Sequence, residues 1–316
     1  MSSLIEKAAQ RLEQLRQAGA DMPAVPDAAA APASPPETAA PVAAAAKPAP
    51  VVMKEAAKTV SKSVRLDLAG LTEAGFVTPN APRAAIADQY RVIKRPLIAN
   101  ATGKGASVVQ HGNRIMVTSA MPGEGKSFTA INLAMSIAME LDYTVLLVDA
   151  DVSRPSIMKT LGLPPGPGLL DLLTNKQMEM SDTLLRTNVD KLSLLPSGTP
   201  HPRATELLAS DAMTDLIEEM GHRYPDRIII FDSPPLLLTT ESRVLATHMG
   251  QIVVVVQAEK TLQSQVRHAL TTIESCPIKL MVLNQVHGGD QDAYGYGYGY
   301  GHGASSDAPV SETTPA

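Results

Sequence analysis

A chain of 316 residues with a formal charge of −5 has room for one sizeable α/β domain plus extensions, and it offers no basic footprint for nucleic acid. Its single cysteine, Cys276, excludes a disulfide framework and suits a reducing cytoplasm. No window approaches about 18 uninterrupted apolar residues, no secretory core opens the chain, and with aromatics at 3% and no Trp the core must be aliphatic.

Residues 1–20 predict an amphipathic helix. Ser3 and Glu6 form a capping box, and Leu4, Ala8, Leu12 and Leu15 share one stripe. The stripe suits a partner helix or a membrane surface, or a helix that pairs only transiently with itself. Residues 21–82 read as a linker. From Asp21 to Pro50 alanine and proline dominate, a composition that buries no core, and residues 51–82 have too little periodicity for an element. A domain is expected over residues 83–287. It opens with a helical stretch, APRAAIADQYRVIKRPLIANA, carrying Ile86, Tyr90 and Ile93, which Pro96 ends or bends.

Short apolar runs follow at residues 114–119, 145–149, 192–195, 228–232, 252–257 and 279–284. Helix-like stretches at 126–140, 204–220 and 261–275 lie between them. Apolar strands alternating with helices predict an α/β fold with a mostly parallel sheet covered on both faces. Residues 288–316 read as a disordered tail holding Tyr294, Tyr296, Tyr298 and Tyr300, four of the seven tyrosines. Their spacing has the period of a strand, but the alternating glycines supply no second face.

SAMPGEGKS, residues 119–127, joins the first strong strand to a helix. Ala120 stands where the first glycine of G-x-x-x-x-G-K-[ST] usually stands; Gly125, Lys126 and Ser127 complete the pattern. Gly123 and Gly125 let backbone N–H groups curl around phosphate oxygens, Lys126 brings charge to the β- and γ-phosphates, and the Ser127 hydroxyl suits Mg²⁺. Asp149 and Asp151 in VLLVDAD, and Asp232 in IIIFDSPP, end two strands on the side where open α/β sheets bind ligands. Three carboxylates converging there suit Mg²⁺ on ATP.

Together these segments resemble the bacterial protein-tyrosine kinases, P-loop autokinases that govern capsule and exopolysaccharide export. The resemblance covers roughly residues 83–300. It rests on the Walker A segment, the D-x-D segment after the second strand, the D-S-P-P segment and the tyrosine-rich tail. ADQYRVIKRPLIANA and the separate N-terminal helix look most like the stand-alone autokinases of exosortase-linked exopolysaccharide loci. ATPases that partition plasmids or place division sites carry a signature lysine where this chain has Met121, followed by Pro122. That absence and the tail both argue against a partition-type ATPase switch.

The resemblance implies a P-loop NTPase-like fold and ATP with Mg²⁺ as cofactors. It assigns Gly123, Glu124, Gly125, Lys126, Ser127, Phe128 and Asn284 to the nucleotide, and Ser127, Asp149 and Asp232 to the metal. Lys126, Asp149, Asp151 and Asp232 form the catalytic set, with Asp151 beside the incoming phenol as base or orienting acceptor. Phosphoryl transfer rests mainly on positioning and charge neutralisation, so a strong base is not required. The tail tyrosines become phosphoacceptors; a self-associating low-complexity segment and a non-catalytic scaffold stay open as other readings of the tail and chain. Implied partners are a transmembrane chain-length-determinant activator, further copies in a homo-oligomeric ring, and a protein-tyrosine phosphatase, placing the chain in the cytoplasm beside the inner membrane. Asp88, Arg91 and Lys94, with Arg95, match the charge pattern of the family's ring-forming motif but not its letters. Arg154 comes one place later than the family's arginine, which leaves its role open.

Overall fold

The computed structural model describes residues 62–223 and 226–286. In chain order the strands are β1 (Lys62–Ser63), β2 (Arg114–Ser119), β3 (Thr144–Asp149), β4 (Leu185–Arg186), β5 (Leu192–Leu195), β6 (Arg227–Asp232), β7 (Gln251–Gln257) and β8 (Ile278–Asn284). The helices are α1 (Leu68–Glu73), α2 (Ala85–Ala101), α3 (Lys126–Ala138), α4 (Ile157–Thr160), α5 (Leu169–Thr174), α6 (Met180–Thr183), α7 (Ala204–Leu208), α8 (Asp211–Arg223), α9 (Glu241–Ala246) and α10 (Gln263–Thr271). The strands form one sheet in the order β1-β4-β5-β3-β6-β2-β7-β8. All pairings are parallel except β4 with β5.

Alternation along the central strands divides the core into two layers. Ile115, Val117, Val145, Leu147, Ile228 and Ile230 face one layer, which α2 and α3 cover with Leu97, Ile131 and Met135. Met116, Leu146, Val148, Ile229 and Phe231 face the other, with Met213 and Ile217 of α8 and Leu245 of α9. A strand buried on both faces has no place for polar alternation, which is why these runs read as continuously apolar. The parallel stacking also brings the carboxyl ends of β2, β3 and β6 together, with Asp149 in register with Asp232.

The structure departs from several sequence expectations. Residues 62–82, read as the end of the linker, belong to the folded unit: β1 pairs with β4, and Leu66, Leu71 and Val77 enter the core. Asn132 on α3 accepts the Val77 N–H at 2.6 Å, and Asn188 accepts that of Leu66 at 2.7 Å. Isolated apolar residues held by such distant side chains leave no local period to read. Of the two expectations at Pro96, ending or bending, the first is excluded: helix α2 continues through it to Ala101, the extent of the expected helical stretch. The expected helix over 204–220 is two, α7 and α8, with Ser210 between them and its hydroxyl accepting the Met213 N–H.

Lys94, grouped with the ring-motif charges, points inward instead. It is buried and donates to the Ser136 carbonyl at 2.5 Å, with Glu140 at 2.7 Å, locking α2 to α3. Arg91 pairs with Asp88 within its own helix. The helix expected over residues 1–20, residues 21–61 of the expected linker and the expected tail of residues 288–316 lie outside the described residues.

Gly168 marks a close approach of backbones. A Cβ there would stand 2.0 Å from the Pro196 carbonyl oxygen and 2.6 Å from the Gly198 nitrogen. Because backbone cannot step aside as a side-chain end can, Gly168→Ala is expected to destabilise the domain by about 2–4 kcal/mol. An unchanged urea midpoint would contradict this packing.

Candidate active site

The turn between β2 and α3 is built for backbone donors. Gly123 and Gly125 have φ of +83° and +96°, a region other residues avoid, so the chain curls tightly before α3 begins. The first N–H groups of α3 have no intrahelical partner and carry the positive end of its dipole, a ready anion site. Lys126, only 8% exposed, stands at the start of that helix.

Four side chains brace the turn from behind. Glu124 is buried; it accepts the Met121 N–H at 2.6 Å and a hydrogen bond from the Thr261 hydroxyl. The Ser119 hydroxyl donates to the Met121 carbonyl at 2.6 Å. Asn284, at the end of β8, donates to the Glu124 carbonyl at 2.9 Å, and Gln285 donates to that of Gly123 at 3.1 Å. A Cβ on Gly125 would lie 2.1 Å from Asn284 Nδ2, so a larger residue there would also displace the Asn284 amide from the loop.

The strand ends supply the negative side. Asp149 is fully buried: its Oδ2 accepts the backbone N–H groups of Ser156 and Ile157 at 3.2 and 3.1 Å, and its Oδ1 has no hydrogen-bond partner. Asp232 is fully buried too, with neither oxygen engaged in a geometrically sound hydrogen bond. The Ser127 hydroxyl meets that of Ser156 at 2.8 Å. Three orphaned carboxylate oxygens in the interior, near a serine hydroxyl, are costly as they stand. A hard, oxygen-seeking divalent cation resolves that cost, and the donor set fits Mg²⁺.

Asp151 behaves differently. One of its oxygens accepts from the Ser153 hydroxyl at 2.9 Å and the Arg154 N–H at 3.1 Å, so it caps its own turn. The expected convergence of three carboxylates on one ion is therefore corrected: among the described residues no three acidic, histidine or cysteine side chains form a metal-binding group. Asp149 and Asp232 are the facing pair, and phosphate oxygens and water must complete any shell around an ion there.

Burial pushes the Asp149 carboxyl up to about 7, with the Asp151 charge adding to the rise and the backbone donors Ile157 and Ser156 opposing it. Burial lifts Asp232 further, to about 8; Asp149 adds to that rise, while Ser127 and Lys126 oppose it. Both groups ordinarily titrate at 3.8. Between these values the folded chain holds protons that the unfolded chain has released, so stability falls as pH rises. Without metal or nucleotide, the melting temperature is expected to drop from pH 5 to pH 8, and added Mg²⁺ with ADP to reduce the drop. A flat or rising profile measured by calorimetry would contradict the burial of these charges.

Of the residues expected to hold nucleotide, Gly123, Gly125, Lys126 and Ser127 line the turn. The Glu124 side chain braces the loop instead of facing a ligand. The Phe128 ring packs against Phe76 at 4.8 Å between centroids, a contact with the segment read as linker. Asn284 is spent on the loop backbone through its amide nitrogen. Thr261, Gln285 and Ser156 join the site without having been anticipated. Gln285 adjoins Asn284 in the VLNQV run and could have been paired with it; Thr261 and Ser156 carry no local signal. Tyr294, Tyr296, Tyr298 and Tyr300 lie outside the described residues.

Comparison with known proteins agrees with this geometry. The family described as an AAA domain matches residues 112–282. The tyrosine-protein kinase YwqD of Bacillus subtilis is 34% identical over 200 residues, covering 63% of this chain and 80% of the relative. The tyrosine-protein kinase ptk of Acinetobacter johnsonii is 33% identical over 176 residues, which are 55% of this chain but only 24% of that longer protein. Among solved structures, the kinase domain of the Escherichia coli tyrosine kinase ETK superposes with a TM-score of 0.53 at 29% identity, covering 60% of this chain and 73% of that one.

Proposed function

The chain belongs to the bacterial tyrosine-protein kinases, and from that membership we propose that it transfers the γ-phosphoryl group of ATP to Tyr294, Tyr296, Tyr298 and Tyr300 of its own C-terminal segment. The observation that carries the reading is the orphaned pair Asp149 and Asp232 beside the anion-binding turn. A buried carboxyl pair next to backbone donors is poorly placed for an apolar ligand and well placed for a metal–triphosphate.

In this reading the N–H groups of residues 123–127 and the Lys126 ammonium bind the phosphates, while Ser127, Asp149 and Asp232 hold Mg²⁺. The ion, when bound, neutralises charge that develops on the transferring group. Asp151, whose charge reaches both carboxyls of the pair and one of whose oxygens is fixed by Ser153 and Arg154, orients the phenol. A phenol titrates near about 10, so alignment matters more than proton removal by a carboxylate. The phenol oxygen bonds to phosphorus, the bond to the ADP oxygen breaks, and the phenolic proton is released.

Family membership also supports a role in exopolysaccharide synthesis or export. We place the protein at the cytoplasmic face of the inner membrane beside a transmembrane chain-length-determinant activator, in a homo-oligomeric ring, with a protein-tyrosine phosphatase opposing it. No helix among the described residues is long and apolar enough to cross a membrane.

The test couples turnover to transfer. With all four tail tyrosines changed to Phe, ADP production in Mg-ATP is expected to fall to the uncatalysed background together with phosphotyrosine. Undiminished hydrolysis by this variant would make the chain an ATPase switch.

A further inference from the structure

The outer edge of the sheet leaves an apolar groove uncovered. β8 ends the strand order, so no strand among the described residues pairs with its outer side. Along β8, Ile278, Leu280 and Val282 turn toward the protein, while Lys279, Met281 and Leu283 face outward. Met281 and Leu283 are 63% and 62% exposed. They form one wall of a groove of about 430 Å³, whose other wall is Val266, Arg267 and Leu270 of α10. A long, unpaired, apolar edge is an invitation to strand addition.

The chain itself supplies a matching strand. Thirty residues, 287–316, follow the last described one, Val286. They include tyrosines at four successive even positions, 294 to 300, separated by glycines. All four project from one face of an extended strand. The link of residues 285–292, with Gly288 and Gly289 in it, is long enough to reverse direction. An antiparallel return would bring Tyr294 opposite Leu283, Tyr296 opposite Met281 and Tyr298 opposite Lys279.

We propose that the Gly–Tyr segment of this same chain folds back as a ninth strand on β8 and lays its tyrosines over the α10–β8 groove. The pairs with Leu283 and Met281 are aromatic on aliphatic, the kind that stabilises sheets, and the Arg267 guanidinium lies within the groove wall for a tyrosine face. Glycine on the other phase keeps the opposite surface of the added strand free of side chains. The docking rests on the edge and the sequence alone. Its consequence, that the docked tyrosines are withheld from phosphoryl transfer until the strand is displaced, rests on the function proposed above.

Hydrogen exchange of the full-length protein without ATP tests it, so that a failure of phosphoryl transfer cannot be confused with a failure of docking. The outward amides of residues 278–284 are expected to exchange about tenfold more slowly in the native chain than in one with all four tyrosines changed to Ser. Leu283→Glu should remove the same protection from the groove side, and the four-Phe chain should keep it. Equal exchange in the native and four-Ser chains would overturn the proposal. So would protection that grows with protein concentration, which would assign the groove to a second copy's tail.

Discussion

Lys126→Met is expected to lower tyrosine phosphorylation by at least ~10³-fold while leaving the domain folded. The ammonium is the one side-chain cation at the start of α3, and a donor aimed at charge that grows during transfer is worth about 10²–10³ in rate even when neutral. Methionine keeps the length and the burial of the stem, so packing is little disturbed. The change has a second, electrostatic consequence. Lys126 opposes the rise in the Asp232 carboxyl, so without it Asp232 holds its proton more firmly, and the pH dependence of activity is expected to shift upward with the loss of rate. A variant with full phosphorylation would remove Lys126 from the site.

Asp232→Asn should move activity and stability in opposite directions. Activity is expected to fall at least ~10²-fold, because one of the two facing carboxylates proposed to hold the ion is gone. The metal-free protein at pH 8 is expected to become more stable by up to about 5 kcal/mol, since folding there must keep on Asp232 a proton that the unfolded chain has released, and Asn carries no such cost. For a domain of this size that is up to about 10–20 °C in melting temperature. The gain should shrink toward pH 5, where native Asp232 is itself protonated. A loss of stability at pH 8 would mean that Asp232 is already paired in the metal-free protein. The combination is characteristic of a site whose residues are held in an unfavourable state for function.

The central sheet and the phosphate turn were legible in the sequence because both rest on short-range rules. Strands buried on two faces read as unbroken apolar runs, and the turn needs glycine at positive φ just before a lysine and a serine. Contacts made across the fold were not legible. Leu66, Leu71 and Val77 looked like linker because side chains on distant segments, Asn188 and Asn132, hold two of their backbone N–H groups. Glu124 looked like a ligand-facing loop residue until its partner Thr261, 137 positions away, was in place. Lys94 looked like a surface charge because α2 carries it among Arg91 and Arg95, and only the docking of α3 shows which way it points. Asp151 shared a D-x-D pattern with Asp149, yet the turn that follows, through Ser153 and Arg154, takes up one of its oxygens.

The central claim is that this chain phosphorylates its own tail tyrosines through the Lys126–Asp149–Asp232 site. Purified full-length protein incubated with Mg-ATP, with every phosphate located by peptide mass spectrometry, tests it most directly. The account predicts phosphate on the peptide holding Tyr294, Tyr296, Tyr298 and Tyr300, and none there when Lys126→Met is treated alike. Phosphate confined to tyrosines elsewhere, or equally abundant in Lys126→Met, would contradict it.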